Sequence, residues 1–290
     1  MNTKLWSTIL ISALVLTACG GGASSGSGDG SSASVVPAVQ SVNPSAPVVS
    51  PFFYLKSTEN CITSSDGWTV NNSVTNNFVM PNQADFAIFK QMNFTCARIP
   101  IGAGASQDAD YVAEAGAYHD ENIRVEGVIS TADINNLPTN AVFAASDEIE
   151  TGNELDVAPN YNPTMAIAYT KAVAIAAQSA NSNILIISAG TSGYDAAWLA
   201  ETIPKLKGII SCVGIHPYGI SPGNFGTLAT SVKNQYGLPV CYSEFGNTPG
   251  NLESPANINT AFTLSQNAAA QFNFFNLGEL ENSPQEVNAL

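Results

Sequence analysis

Two glutamates stand directly after apolar runs in this chain, where they could move protons. Glu154 follows the run Glu148–Thr151 in the stretch TGNELD, and Glu244 follows Pro239–Tyr242 in YSEFG. Two carboxylates facing one pocket are the minimal machinery for breaking a glycosidic bond, because one can give a proton to the leaving oxygen while the other attacks the anomeric carbon or activates water. Taken alone, either glutamate could be an ordinary loop acid.

Other runs end in side chains of equally distinct chemistry. Arg98 lies in one such run, CARIPIG, while His216 and Tyr218 follow another, in GIHPYG, and Asn153 precedes Glu154. A structural ion pair for Arg98 and a core position for His216 are the simpler interpretations of each residue alone. Their joint occurrence at the ends of four of these runs favours a single site. There, an arginine would keep one carboxylate charged, and that charge would raise the pKa of the other.

The apolar, β-branched runs return about every thirty residues and end in Gly, Pro, Asn or polar clusters, as strands do. The eight runs are Phe52–Leu55, Thr95–Ile99, Ile123–Ile129, Glu148–Thr151, Ile184–Ser188, Ile209–Ile215, Pro239–Tyr242 and Phe272–Asn276. Helix-like stretches lie between several of them. These stretches are Ala84–Met92, Ala109–His119, Pro163–Ala180, Asp195–Lys205, Phe225–Tyr236 and Asn257–Ala270.

Repeated alternation of strand and helix over about 240 residues predicts one α/β domain, a (β/α)8 TIM barrel spanning residues 51–290. A doubly wound open sheet is the alternative. It usually carries a glycine-rich phosphate loop after its first strand, and Gly102-Ala103-Gly104 follows the second run without the required spacing. Few residues separate the third and fourth runs, and Pro138 lies among them, so the helix between them must be short or irregular. In a barrel, the ends of all these strands meet at one rim.

The residues at that rim resemble those of clan A glycoside hydrolases, the cellulase-like retaining (β/α)8 enzymes. Asn153 and Glu154 match the Asn-Glu pair that ends the fourth strand there, and Glu244 matches the glutamate that ends the seventh. The resemblance implies that Glu154 is the general acid/base, that Glu244 is the nucleophile and that Asn153 holds the sugar 2-hydroxyl. Retaining enzymes hold their two carboxyl groups about 5–5.5 Å apart, and we expect that spacing here.

The same resemblance extends to three further residues. Arg98 matches an arginine that lies beneath the nucleophile, and His216 with Tyr218 matches a His-x-Tyr motif on the sixth strand. These side chains would then orient the carboxylates and border the substrate. Glu150 has the strand parity of Glu154, so it either faces the barrel interior as a partner of Arg98 or faces outward.

Aromatic side chains near the rim are candidates for stacking on sugar rings. Trp68, in the polar loop after the first run, and Tyr194, after the fifth, are the two that we select. Trp198 lies in a helix-like stretch at core spacing, and we assign it to the core.

The N-terminus has the layout of a bacterial lipoprotein signal. Residues 1–18 combine Lys4, an apolar run and small residues before Cys19, and LTAC resembles a lipobox, which implies a lipidated Cys19. The alternative is an ordinary cleaved signal. Residues 19–50 are rich in Gly, Ser, Ala and Pro and predict a flexible tether. Gly20 after the cysteine favours the outer membrane, with the domain in the periplasm or at the cell surface.

Composition narrows the partners and cofactors. The net charge of −14, with nine Lys and Arg in all, argues against nucleic acid. Four cysteines remain after Cys19, and in an oxidising compartment they predict either one or two disulfides or four buried thiols. Without a C-x-x-C pair a zinc site is not expected. With only His119 and His216 as histidine ligands, a metal-dependent hydrolase is disfavoured too, and no cofactor is expected. The sequence thus predicts a monomeric glycosidase acting on a polysaccharide or oligosaccharide; a transglycosylase and a non-catalytic carbohydrate-binding lipoprotein are the alternatives.

Overall fold

Strands and helices alternate along the part of the chain that the computed structural model describes, residues 59–63, 80–102, 105–129, 134–245 and 269–274. The strands there are β1 Glu59–Thr63, β2 Cys96–Ile101, β3 Arg124–Ile129, β4 Glu148–Glu150, β5 Leu185–Ile187, β6 Thr191–Ser192, β7 Val213–His216, β8 Val240–Phe245 and β9 Ala269–Phe274. The α-helices are α1 Gln83–Met92, α2 Ala105–Asp120, α3 Asn140–Ala144, α4 Pro163–Ala180, α5 Ala196–Leu206 and α6 Phe225–Tyr236.

The strands form one parallel sheet that closes on itself. Their order is β5-β4-β3-β2-β1-β9-β8-β7-β6. A parallel bridge between Ile187 and Cys212 joins the two ends, and the Ser188 amide donates to the Cys212 carbonyl at 3.2 Å. Because β5 and β6 succeed each other beside β7, they share the fifth position, and β7, β8 and β9 take the sixth, seventh and eighth. The predicted (β/α)8 fold is confirmed.

Local signals fix the ends of several helices. Asn162 accepts a hydrogen bond from the Met165 amide at 3.0 Å, and Pro163 occupies the first turn, so α4 begins at its predicted residue. Helix α6 ends at Gly237, whose φ of 74° lies in the left-handed region that terminates helices. α3 has five residues, as expected for the short third unit.

Two sequence assignments were wrong. The first barrel strand is Glu59–Thr63 rather than the run Phe52–Leu55, which lies outside the described residues. Ala269 and Ala270, which we assigned to the end of a helix, instead begin β9, so this strand starts before the predicted Phe272. The signal 1–18, Cys19, the tether 19–50 and Trp68 also lie outside the described residues.

Side chains alternate between two environments along the strands. Ala97, Ile99 and Ile101 of β2 join the apolar core between sheet and helices. The residues between them face the barrel interior, which holds buried polar groups contributed by several strands. These are Arg98, Glu126, Glu148, Glu150, Ser243 and Gln271. The barrel interior therefore contains several buried charged side chains, and it adjoins the rim.

Two disulfides link neighbouring barrel strands. Cys61 pairs with Cys96 between β1 and β2, and Cys212, just before β7, pairs with Cys241 of β8. The sequence left open whether these cysteines were paired or free. Among the described residues, helices are too short or too polar to cross a membrane.

Candidate active site

The structure brings the predicted rim residues together. Arg98 comes from β2, Asn153 and Glu154 follow β4, His216 ends β7 and Glu244 lies near the end of β8. Since the carboxyl ends of parallel strands meet at one end of a barrel, residues far apart in sequence become neighbours there. Their contacts form one continuous network.

Arg98 is the cation beneath this network. Its Nη1 donates to Oε1 of Glu244 at 2.8 Å, and its Nη2 donates to Glu150 at 2.6 Å and to Asn153 at 3.3 Å. The side chain is fully buried. Burial would lower the pKa of Arg98, but the charges of Glu150, Glu244 and Glu126 raise it above its usual value, so the guanidinium is permanent.

His216 is a second buried cation. Its Nδ1 lies 3.1 Å from Oε1 of Glu154 and 3.4 Å from Oε2 of Glu244, and its Nε2 lies 3.4 Å from Oε1 of Glu150. Burial would lower the pKa of His216, but these carboxylates raise it to about 10. The imidazole is therefore protonated at neutral pH and donates from both ring nitrogens.

A local turn directs Glu154 towards His216. Glu154 adopts a φ of 49° after Gly152, whose φ is 146°. The left-handed region is unfavourable for a residue with a Cβ, by roughly 1–2 kcal/mol. The amide of Glu154 donates to the carbonyl of Gly190 at 2.9 Å, which holds this conformation in place.

Glu154 and Glu244 face each other across the mouth of the barrel. Carboxylate oxygens of the two residues lie within 4.8 Å of one another, with His216 within the same distance of both. Glu244 also accepts a hydrogen bond at 3.2 Å from the hydroxyl of Tyr218. Burial and the charge of Glu244 raise the pKa of Tyr218, so the phenol remains a donor.

The charge state of Glu154 differs from our expectation. We expected the neighbouring negative charge to raise its pKa. Burial acts in that direction, but the hydrogen bond and the positive charge of His216 outweigh it and lower the pKa below its usual value. In the structure the proton therefore resides on His216, which shares it with Glu154.

Glu154, His216 and Glu244 also present three atoms close enough to hold a metal ion. The imidazolium of His216, however, has no lone pair to offer, because both of its nitrogens carry protons. Cys61, Cys96 and Glu126 form a second such group, but its sulfurs are joined in a disulfide.

Tyr194, one of the two aromatic residues that we selected for stacking on sugar rings, lies apart from this network. Tyr194 is 39% exposed in the loop after β6, and no contact joins it to the carboxylates among the described residues. Trp198 is half-buried and packs against the core, as assigned.

Sequence reasoning missed two members of the network. Ser243 donates to Oε1 of Glu150 at 2.7 Å, and the Gly190 amide donates to the same oxygen at 3.0 Å. The position of Ser243 directly before Glu244 was the available signal. Gly190 gave none, because its role depends on contacts that are distant in sequence. Glu150 itself faces inward, the first of the two orientations that we considered.

This fold is also that of solved glycosidases. The chain superposes on a glucosidase from Croceicoccus marinus with a TM-score of 0.53 at 10% identity, covering 74% of this chain and 59% of that one. For a broad-specificity GH5-4 endoglucanase from Clostridium cellulovorans the TM-score is 0.53 at 13% identity, covering 76% and 83%. For an exo-beta-1,4-mannosidase from Opitutaceae bacterium strain TAV5 it is 0.50 at 12% identity, covering 79% and 55%.

At these identities the likeness concerns the fold. The chain spans less than two thirds of the length of the glucosidase and of the mannosidase. No protein-family model and no curated protein matches the sequence.

Proposed function

We propose that the chain is a retaining glycoside hydrolase that cleaves β-glycosidic bonds by double displacement, with Glu154 as acid/base and Glu244 as nucleophile. The observation that carries this proposal is the separation of their carboxylate oxygens, within 4.8 Å. Retaining enzymes place the two groups about 5–5.5 Å apart, whereas inverting enzymes need about 6.5–9.5 Å to admit a water between them.

In the first step Glu244 attacks the anomeric carbon and the glycosidic C–O bond breaks. His216 passes its Nδ1 proton to Glu154 through the 3.1 Å hydrogen bond, and Glu154 delivers that proton to the leaving oxygen. The charge of Glu244 is the largest influence that keeps His216 protonated. When Glu244 becomes an ester that charge disappears, so the imidazolium yields its proton more readily as the bond forms.

In the second step a water takes the place of the departed group. Glu154 accepts a proton from this water, whose oxygen attacks the anomeric carbon and displaces the Glu244 carboxylate. His216 regains its proton through Glu154. Two inversions at the same carbon give net retention.

The remaining predicted residues take binding roles in this proposal. Asn153 holds the sugar 2-hydroxyl, Tyr218 orients Glu244, and Tyr194 and Trp68 stack on sugar rings. A polysaccharide or oligosaccharide is the substrate class, since the solved structures that share the fold include a glucosidase, an exo-beta-1,4-mannosidase and an endoglucanase.

We further propose that the domain acts in the cell envelope, tethered through a lipidated Cys19. Two disulfides between barrel strands support an oxidising compartment, because cytosolic proteins seldom retain such bonds. Detergent partitioning and mass spectrometry of the N-terminal peptide from the native host would test the anchor. A hydrophilic, unmodified N-terminus would contradict it.

The test of the function has three readouts. Glycans and aryl β-glycosides are screened, the anomer formed first is followed by NMR, and the nucleophile is labelled with a 2-deoxy-2-fluoroglycoside of the sugar found. We expect the retained anomer and a label on Glu244. Glu154→Gln and Glu244→Gln should abolish turnover of natural glycans, while Glu201→Gln, an exposed glutamate of α5, should not.

Several outcomes would contradict the proposal. An inverted product, a label on another residue, or near-normal turnover by either active-site variant would each exclude the assigned mechanism. Sugar binding without turnover across the whole panel would favour a non-catalytic binding module instead. Transfer of the sugar to another sugar rather than to water would make the protein a transglycosylase with the same residues.

A further inference from the structure

Glu150 receives more hydrogen bonds than any other carboxylate in the described network. Its side chain is fully buried below the two carboxylates at the mouth, so no substrate can reach it. Donors from four different parts of the chain converge on its two oxygens. They are Arg98 Nε at 2.9 Å and Nη2 at 2.6 Å on Oε2, and Ser243 Oγ at 2.7 Å, Gly190 N at 3.0 Å and His216 Nε2 at 3.4 Å on Oε1.

We propose that Glu150 is a positioning residue that fixes both cations of the site, holding Arg98 under Glu244 and keeping His216 protonated between Glu154 and Glu244. The importance of Glu150 for turnover rests on the proposed function. Its effect on the charge and orientation of His216 does not. Glu150 thus links the acid/base side of the pocket to the nucleophile side through a single buried anion.

The physical reason is the cost of burying positive charge. A buried imidazolium and a buried guanidinium each need compensating negative charge, and a carboxylate at hydrogen-bond distance provides it. Burial raises the pKa of Glu150, but the charge of Arg98 and the hydrogen bonds of His216 and Ser243 lower it to about 2. Glu150 is therefore an anion at every pH at which the protein would work.

The groups that face His216 come from several elements. Glu150 of β4 faces Nε2, while Glu154 after β4 and Glu244 of β8 face Nδ1. The ring of Tyr218 meets the imidazole edge to face at 6.2 Å. Glu150 is the only one of these carboxylates on the Nε2 side among the described residues, and Glu154 and Glu244 are the pair that change charge in the proposed reaction. Glu150 is therefore the one of these three carboxylates that keeps its negative charge beside the ring both when His216 carries its proton and after it has passed that proton to Glu154.

The absence of a side chain at Gly190 permits this arrangement. A Cβ there would lie 2.3 Å from Nε2 of His216 and 2.5 Å from Oε1 of Glu150, so any other residue would push the two apart. A Gly190→Ala substitution therefore separates the pair without removing either charge.

Nuclear magnetic resonance of histidine tests the proposal directly. The chain has only two histidines, so ¹⁵N-histidine labelling gives two sets of ring signals, and exposed His119 serves as the internal reference. In the wild type we expect His216 to show the imidazolium signature from neutral pH to about pH 9. In Glu150→Gln its titration midpoint should fall by about two pH units and enter the accessible range.

Glu148→Gln is the matched control. Glu148 lies two residues earlier on β4 and is equally buried, but it contacts Arg124 at 2.9 Å and Gln271 at 3.3 Å rather than His216. We expect its His216 signals to match the wild type. A neutral His216 in the wild type at pH 7, or equal shifts in Glu148→Gln and Glu150→Gln, would overturn the proposal.

Two further variants cover the case in which Glu150→Gln does not fold. Glu150→Asp retains the charge, so His216 should stay protonated although the shorter side chain loosens Arg98. Gly190→Ala should lower the His216 midpoint although Glu150 is intact. An unchanged midpoint in folded Gly190→Ala would contradict the inference.

Kinetics then separate this inference from the proposed function. If the protein is a glycosidase, Glu150→Gln should move the basic limb of the kcat/KM profile to lower pH by the shift seen for His216. If the NMR shift occurs but no glycoside is turned over by any form, the positioning role stands and the proposed function fails. If the wild type is active and its basic limb stays in place in Glu150→Gln, the positioning role fails alone.

Discussion

Nδ1 of His216 lies 3.1 Å from Oε1 of Glu154, so a buried imidazolium and the carboxylate assigned as acid/base share one hydrogen bond. The same nitrogen lies 3.4 Å from Glu244. One proton is therefore placed between the two carboxylates whose charges must alternate during double displacement. Its position has consequences for stability as well as for the proposed reaction.

The stability of the protein should depend on pH through His216. Its pKa is about 10 in the folded state against an ordinary value of 6.5, so its stabilising contribution is complete below about pH 6.5 and is lost as the pH rises through about 10. We expect the free energy of unfolding of the wild type to fall between about pH 6 and pH 9 by more than that of His216→Gln. Urea denaturation at successive pH values measures the difference. Parallel curves for the wild type and His216→Gln would refute the buried imidazolium.

Removing the Tyr218 hydroxyl should impair catalysis more than stability. Tyr218 donates to Oε2 of Glu244 at 3.2 Å, and a hydrogen bond to a charged group contributes about 1.5–3 kcal/mol. If the proposed function holds, Tyr218→Phe should lower kcat/KM for an aryl β-glycoside by about 10- to 100-fold.

A second tyrosine provides the control for that measurement. The Tyr242 hydroxyl donates to the Phe225 carbonyl at 2.6 Å, on the helix side of β8 and away from the carboxylates. Tyr242→Phe should lower the melting temperature and leave kcat/KM near the wild-type value. Equal kinetic losses in the two variants would mean that the Tyr218 hydroxyl acts through the fold alone.

Local signals explain which elements could be predicted from the sequence. Asn162 and Pro163 start α4, and Gly237 ends α6, so both helices were placed correctly. The first strand was misplaced because ENCIT contains few apolar residues, whereas Phe52–Leu55 is apolar throughout. In a barrel with a polar interior, apolar content is a poor guide to a strand.

The charges of the site could not be predicted in this way. The types and order of Arg98, His216 and Glu244 indicated one rim, and the structure brings them together there. The protonation of Glu154, however, depends on His216, which is 62 residues away in the chain. The sequence does not show that these two side chains lie within hydrogen-bond distance, so the expected direction of the pKa shift of Glu154 was wrong.

Loss of the Cys212–Cys241 disulfide should destabilise the barrel. It links positions 29 residues apart and precedes Glu244 on β8 by three residues. Removing a crosslink of this loop length costs about 2–4 kcal/mol, mainly because the unfolded chain gains freedom. Urea denaturation of Cys212→Ala/Cys241→Ala against the wild type measures the loss, and mass spectrometry verifies that Cys61–Cys96 remains closed.

Reduction provides a control for the cavity that the two alanines leave, because it opens the crosslinks and keeps the cysteine side chains. The wild type, reduced while unfolded and then refolded, should be less stable than the oxidised wild type. In the double variant, reduction should remove only the contribution of Cys61–Cys96. If reduction leaves the wild type as stable as before, the disulfides do not support the barrel.

Two glycine substitutions should have opposite effects on stability. Gly127 of β3 is enclosed: a Cβ there would lie 2.6 Å from the Tyr111 hydroxyl and 2.7 Å from Cδ1 of Ile101. Overpacking of this kind typically costs about 1–3 kcal/mol, so Gly127→Ala should unfold at a lower urea concentration. Gly116 is exposed on α2 with nothing within 4 Å of its Cβ position, and Gly116→Ala should stabilise by about 0.4–1 kcal/mol because alanine restricts the unfolded chain. Equal midpoints for the two variants would show that Gly127 is not packed against β2 and α2 as described.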